Sequence, residues 1–98
     1  MRMMLRFTVP VERGNAAISD GMIAKTLELI MSRLKPEAAY FGATDGKRGG
    51  MVFFDMAEPS QIVEVVEPLS LNLNATIELA PVMNIDDLRK GLAKIAGK

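Results

Sequence analysis

The 98-residue sequence has no cysteine, no histidine and no tryptophan, and only one tyrosine and four phenylalanines. Without cysteine there is no disulfide, no thiolate nucleophile and no thiolate metal site. The absence of histidine removes the commonest metal ligand and the usual proton shuttle at neutral pH. No metal site and no cofactor is therefore expected. Neither sign of charge is in excess: twelve basic and twelve acidic residues cancel, the pI is near 6.2, and like charges never run longer than two. That balance gives a polyanion nothing to hold, so no nucleic-acid partner is expected. No apolar run approaches the roughly 20 residues that cross a bilayer, and Arg6 interrupts the apolar N-terminus, which alternates where a signal peptide would run on. The expectation is a cytoplasmic, bacterial-type protein with no membrane partner.

What is present in quantity is apolar. Hydrophobic residues make up 49% of the chain and the mean hydropathy is positive. That is high for a chain long enough for one core, and it predicts that some apolar surface meets a second copy.

The patterning then gives the elements. Met3, Leu5, Phe7 and Val9 alternate with Met4, Arg6 and Thr8, the period of a half-buried strand, which Pro10 ends. Ile23, Leu27, Ile30, Met31 and Leu34 form one helical stripe, capped by Asn15 or Ser19 and stopped by Pro36. Residues 38–44 and 50–56 read as two strands joined by a five-residue loop, Asp45 to Gly49. Pro59 opens a second helix with Ile62, Val65, Val66 and Leu69 on its stripe, and Pro68 closes it. Leu71, Leu73, Ala75, Ile77 and Leu79 alternate with polar neighbours as a fourth strand, ended by Pro81. Asn84 caps a last helix from Ile85 to about Ile95, which is too short to stand alone and must dock on something.

Two strand-helix-strand units joined by a hairpin predict a single-domain, ferredoxin-like βαββαβ sandwich over residues 1–98, an α+β fold with a four-stranded antiparallel sheet and a short C-terminal helix. Both main helices cover one sheet face. The other face is expected to collect Met4, Arg6, Thr8, Tyr40, Met51, Phe53, Asp55, Thr76 and Glu78. Arg6, Tyr40, Phe53, Asp55 and Glu78 are the candidate ligand-binding residues, with Arg6 beside Asp55 or Glu78 across the ladder. Arg6 would hold a small anionic molecule. Glu78, with Arg6, is the candidate catalytic pair for a cofactor-independent proton transfer. The bland reading of the same residues is an interface ion pair among side chains that pack on a second copy.

Two local signals fail on inspection. Gly46-Lys47-Arg48-Gly49-Gly50 lacks the spacing, the Ser or Thr and the following helix of a phosphate loop. In Lys47 to Phe54, Lys47, Gly50, Val52 and Phe54 fit an RNA-recognition strand, but Gly49 and Met51 stand where bases should stack.

The run from Gly50 to Met56, then Glu58-Pro59, the second-helix stripe, Pro68-Leu69 and Ile77 to Val82 resemble the second half of the muconolactone-isomerase-like proteins. The whole chain is also similar to a family of small bacterial proteins of the dimeric α+β barrel superfamily. The resemblance implies a homodimer formed through the open sheet face, with the last helix touching the partner. It implies either a small-molecule-binding or interaction module, or an isomerase acting on a small anionic metabolite.

Overall fold

The computed structural model describes residues 1–97. In chain order the elements are β1 (Arg2–Val9), α1 (Val11–Ser19), α2 (Met22–Leu34), β2 (Ala38–Thr44), β3 (Lys47–Asp55), α3 (Gln61–Leu73), β4 (Thr76–Pro81) and α4 (Ile85–Ala96). The strands form one antiparallel sheet in the order β2-β3-β1-β4, with β1 central between β3 and β4. This is the ferredoxin-like arrangement.

The alternation in β1 orients the sheet as its period requires. Met3, Leu5, Phe7 and Val9 are buried against the helices together with Val52 and Phe54 of β3. Ala17, Ile30 and Leu34 cover them from α1 and α2, and Val65, Leu69 and Leu73 from α3. Burying each Leu or Phe stabilises the fold by about 1.5–3 kcal/mol relative to leaving it exposed. Thr26 is the one buried polar residue of this layer, and its Oγ1 accepts from Asn72 Nδ2 at 3.2 Å. No buried side-chain nitrogen or oxygen lacks a partner among the described residues.

The structure corrects the expected boundaries in four places. The first helix is two, broken at Asp20-Gly21, where Gly21 has φ 79° and Asp20 Oδ1 accepts from the Met22 amide at 2.9 Å. Neither Asn15 nor Ser19 caps a helix. Pro10 leads directly into α1, and Asn15 Oδ1 accepts from Arg48 Nη1 at 3.0 Å. The hairpin loop is two residues, because Asp45 (φ 53°) and Gly46 (φ 75°) make the left-handed pair of a tight turn. Lys47 to Gly49 consequently belong to β3.

The third correction concerns Pro68, which lies inside α3 instead of ending it. Val65, Leu69 and Leu73, spaced by four, are fully buried, and that burial outweighs the roughly 3 kcal/mol that an interior proline costs a helix. Helix α3 begins at Gln61, just past Pro59, with Gln61 Oε1 accepting from the Ala57 amide at 2.6 Å. The fourth strand is thereby shortened. Leu71 and Leu73 belong to the last helical turn, closed by Asn74 in the left-handed conformation, whose amide reaches Ser70 O at 3.0 Å.

The last helix starts as expected. Asn84 Oδ1 accepts from the Asp87 amide at 2.8 Å, and Asp87 Oδ2 accepts from the Asn84 amide at 3.1 Å, a complete capping box. No residue of α4 is buried, however, and Ile85, Leu88, Leu92 and Ile95 are all exposed. Among the described residues its apolar stripe is covered by nothing, and only its first turn is tied to the sheet, through Arg2 and Asp87. The radius of gyration, 15.8 Å, exceeds the roughly 13 Å of a compact domain of this length, in keeping with a long axis of 57 Å.

Candidate functional site

The open sheet face is organised in rows across the strands. One row is Tyr40, Met51, Arg6 and Glu78; the next is Ala38, Phe53, Met4 and Ala80. On the other side of Arg6 lies Gly42, Gly49, Thr8 and Thr76, a row with two bare backbones. Because successive same-face residues are about 6.6 Å apart along a strand, Phe53 and Met4 form an apolar band directly beside the Arg6 row. Met4, Met51 and Phe53 are only half buried, since no described element covers them.

Arg6 and Glu78 meet in register, as the cross-strand reading allows. Arg6 Nε donates to Glu78 Oε1 at 3.0 Å, and Nη2 contacts the same oxygen. Both side chains are about half exposed. Asp55 is elsewhere, which corrects its expected place beside Arg6. It pairs with Arg2, four residues and about 13 Å from Arg6 along β1, and accepts from the Met1 ammonium at 2.6 Å. That hydrogen bond and charge hold its carboxyl below the ordinary value of 3.8. Of the five candidate residues, Arg6, Tyr40 and Glu78 therefore share a row, Phe53 lies in the next, and Asp55 belongs to another cluster.

Two clefts flank Arg6. One, of about 280 Å³, runs towards β2 and is lined by Tyr40, Phe41, Thr44 and Met51 over a floor of Gly42, Gly49 and Gly50. The other, of about 300 Å³, is bounded by Thr8, Thr76, Glu78 and the hairpin residues Thr44 and Asp45. Each is at the small end of ligand-pocket sizes. Among the described residues Arg6 is the only cation lining either cleft. Its charge is shared with Glu78, so an anion arriving there exchanges with that carboxylate.

Gly49 is needed for this shape. A Cβ at Gly49 would stand 2.4 Å from the Phe7 carbonyl oxygen, which as backbone cannot step aside. Gly49 falls in the expected hairpin loop on sequence grounds, where a glycine carries no such role. The hydroxyls of Thr8 and Thr76 were legible from alternation; Thr44 and Gly42 became cleft residues only through the hairpin's two-residue turn.

A second polar cluster was not foreseen. Arg2 Nε donates to Glu37 Oε1 at 2.7 Å while Nη1 lies 3.5 Å from Asp87 Oδ2, tying the first turn of α4 to the sheet end. Glu37, and then Asp87, raise the Arg2 guanidinium further above its ordinary range. With Lys35 and Asp55 these residues line a polar recess of about 550 Å³. Its members come from four separate segments, and no spacing in the sequence joins them.

No group of three or more His, Cys, Asp or Glu residues is arranged to hold a metal among the described residues. No helix among them is long and apolar enough to cross a membrane.

No protein-family model matches the chain, and no curated protein matches it. Among solved structures it is similar to the de novo designed protein Ferredog-Diesel, with a TM-score of 0.48 and 14% identity over 83% of this chain and 85% of that one. It is also similar to MupZ from Pseudomonas fluorescens, with a TM-score of 0.45 and 15% identity over 97% of this chain and 83% of that one. The ferredoxin-like fold of this chain rests on its own strand order and register.

Proposed function

We propose that the chain acts as a homodimer of the dimeric α+β barrel kind, two open sheet faces packed on each other, and that the clefts beside Arg6 take a small anionic molecule. The observation that carries this reading is the half-buried apolar row Ala38, Phe53, Met4 and Ala80 alongside a single arginine. A contiguous apolar band on a sheet face that no described element covers is the mark of an interaction surface.

The open face alone is smaller than a stable interface requires. Four strands about 4.8 Å apart, each presenting some six residues at about 3.3 Å, make a face of roughly 300–400 Å². A stable interface needs about 800 Å² from each partner. The apolar stripe of α4, on a helix about 18 Å long and about 10 Å wide, would supply part of the remainder, so a face-to-face dimer has to engage it too. Net charge zero raises no long-range repulsion between copies.

The test is sedimentation equilibrium combined with titration of benzoate as a simple anionic probe. A dimer whose probe binding is lost on Arg6→Ala supports the reading. A monomer at all concentrations overturns the barrel, and probe binding unchanged in Arg6→Ala overturns the anion site.

The placement of Glu78 across the ladder from Arg6 favours one further reading, a cofactor-independent isomerase. A substrate anion would take Arg6, release Glu78 from its hydrogen bonds, and leave that carboxylate beside the substrate as the base. In that case Glu78→Gln keeps the dimer and abolishes turnover of a carboxylate-bearing lactone. A binding module shows no turnover to lose.

A further inference from the structure

The sheet has two edges, and they are protected unequally. Strand β4 is short, carries the charge of Glu78 at its middle and ends in Pro81, the usual devices that stop one sheet edge from pairing with another. Strand β2 has none of them. Its seven residues, Ala38-Ala39-Tyr40-Phe41-Gly42-Ala43-Thr44, include no charge and no proline, and it bonds to β3 alone. Tyr40 is 68% and Phe41 51% exposed along that edge.

We propose that β2 is a self-association edge: two copies pair β2 to β2, antiparallel, about a two-fold axis through Phe41. This goes beyond the face-to-face dimer and does not require it. The strand's own side chains argue for a second copy as occupant. With Phe41 opposite Phe41, Tyr40 faces Gly42 of the second copy, Ala39 faces Ala43, and Ala38 faces Thr44. The bulky Tyr40 thus meets a bare glycine, and Ala39 meets another alanine. No described residue lies within 4 Å of where a Cβ of Gly42 would stand, so the space over its bare backbone, the β2 end of the first cleft, takes the Tyr40 ring of the other copy and leaves the cleft bounded by Thr8 and Thr76 for an anion. The two Phe41 side chains become a direct cross-strand aromatic pair, already backed by their own sheet because each ring covers Gly50. A two-fold antiparallel pairing is closed, which is what keeps an unguarded edge from growing into a fibre.

The charges agree with the register and limit it. No charged residue falls within the paired segment. Just beyond it Glu37 comes opposite Asp45 of the second copy, and Glu37 is already held by Arg2 at 2.7 Å. Pairing therefore strengthens with salt, which screens these flanking carboxylates. The exposed parts of Tyr40 and Phe41 amount to roughly 200–250 Å² per copy, well below the ~800 Å² per partner of a stable interface. The edge contact alone is weak and concentration-dependent, and joins larger assemblies only where another interface assists it.

The absence of cysteine makes the test direct. Directly opposed residues of an antiparallel pair have Cα atoms about 4.5–5.5 Å apart, inside the roughly 4.4–6.8 Å that a disulfide spans. The full chain carrying both Ala39→Cys and Ala43→Cys is oxidised at high protein concentration, beside each single variant and Leu71→Cys, an exposed control on α3. The expected result is covalent dimer from the double variant, faster at raised salt, with neither single variant exceeding the control. Cross-linking of the double variant no faster than the control overturns the proposal, as does equal cross-linking by the single variants or a ladder of higher polymers. Because Ala39 is partly buried, Phe41→Lys provides a second measurement on an intact fold. It should remove the concentration-dependent rise in sedimenting mass that remains in Phe53→Ala, and an unchanged rise refutes the pairing.

Discussion

Phe53 tests the face-to-face dimer most sharply, because it lies in the middle of the apolar row and outside the core. Truncating it to Ala should leave the protomer folded with its helical content unchanged and lower its melting temperature only modestly, since the ring is supported from one side only. If two faces pack together, each ring, already more than half buried in the protomer, removes at most about 70 Å² of apolar area from water, so a dimer loses up to about 140 Å², or roughly 3.5 kcal/mol at ~25 cal/mol per Å². Partial collapse of the neighbouring Met4 into the space brings this nearer 2 kcal/mol. Every 1.4 kcal/mol is tenfold in Kd, so dimer dissociation should rise by about 30-fold. Sedimentation velocity over a wide concentration range reads this as a shift of the monomer-dimer midpoint. If Phe53→Ala unfolds the protomer, the ring belongs to the core and the face is not an interface. If the midpoint does not move while the protein stays folded, the open face is not where the copies meet.

Three further outcomes follow from single contacts. Gly49→Ala forces a methyl against the Phe7 carbonyl oxygen, 2.4 Å from the Cβ position, and should destabilise the fold by about 1–3 kcal/mol, as overpacking does; chemical denaturation measures it. Asn84→Ala removes the capping box of α4 at a helix cost of about 1 kcal/mol, and hydrogen exchange should quicken in residues 85–96 of the monomer while its melting temperature stays put. Asp55 is held ionised below its ordinary 3.8 by the Met1 ammonium. Its contribution is therefore present above that value and lost as pH falls through the lower folded one, so Asp55→Asn should flatten the acid limb of stability below pH 3.8.

The parts of the fold legible in the sequence are those where one local pattern had a single solution. The alternation of β1 fixed which residues face the helices, and the same alternation placed Arg6 and Glu78 on the other side. Asn84 marked the start of α4 because a capping residue is read from its own position, and the structure adds Asp87 as the other half of its box. Where two patterns overlapped, the local reading failed. Leu69, Leu71 and Leu73 satisfy both a helical and a strand period, and the choice was made by what Leu69 and Leu73 could reach, the underside of the sheet. Pro68 was outweighed for the same reason. Asp45-Gly46 is a strong turn signal, but the glycines and basic residues after it concealed how early β3 begins.

The sequence by itself determined the alternating faces, the helix stripes and the absence of thiol and imidazole chemistry, because these depend on residue type and on spacing along one element. Only the tertiary structure decided that Asp55 meets Met1 instead of Arg6, that Arg2 gathers Glu37 and Asp87, and that Gly42 leaves open space beside Tyr40. Those relations depend on register between strands and on the path of loops, where one residue of shift changes every partner.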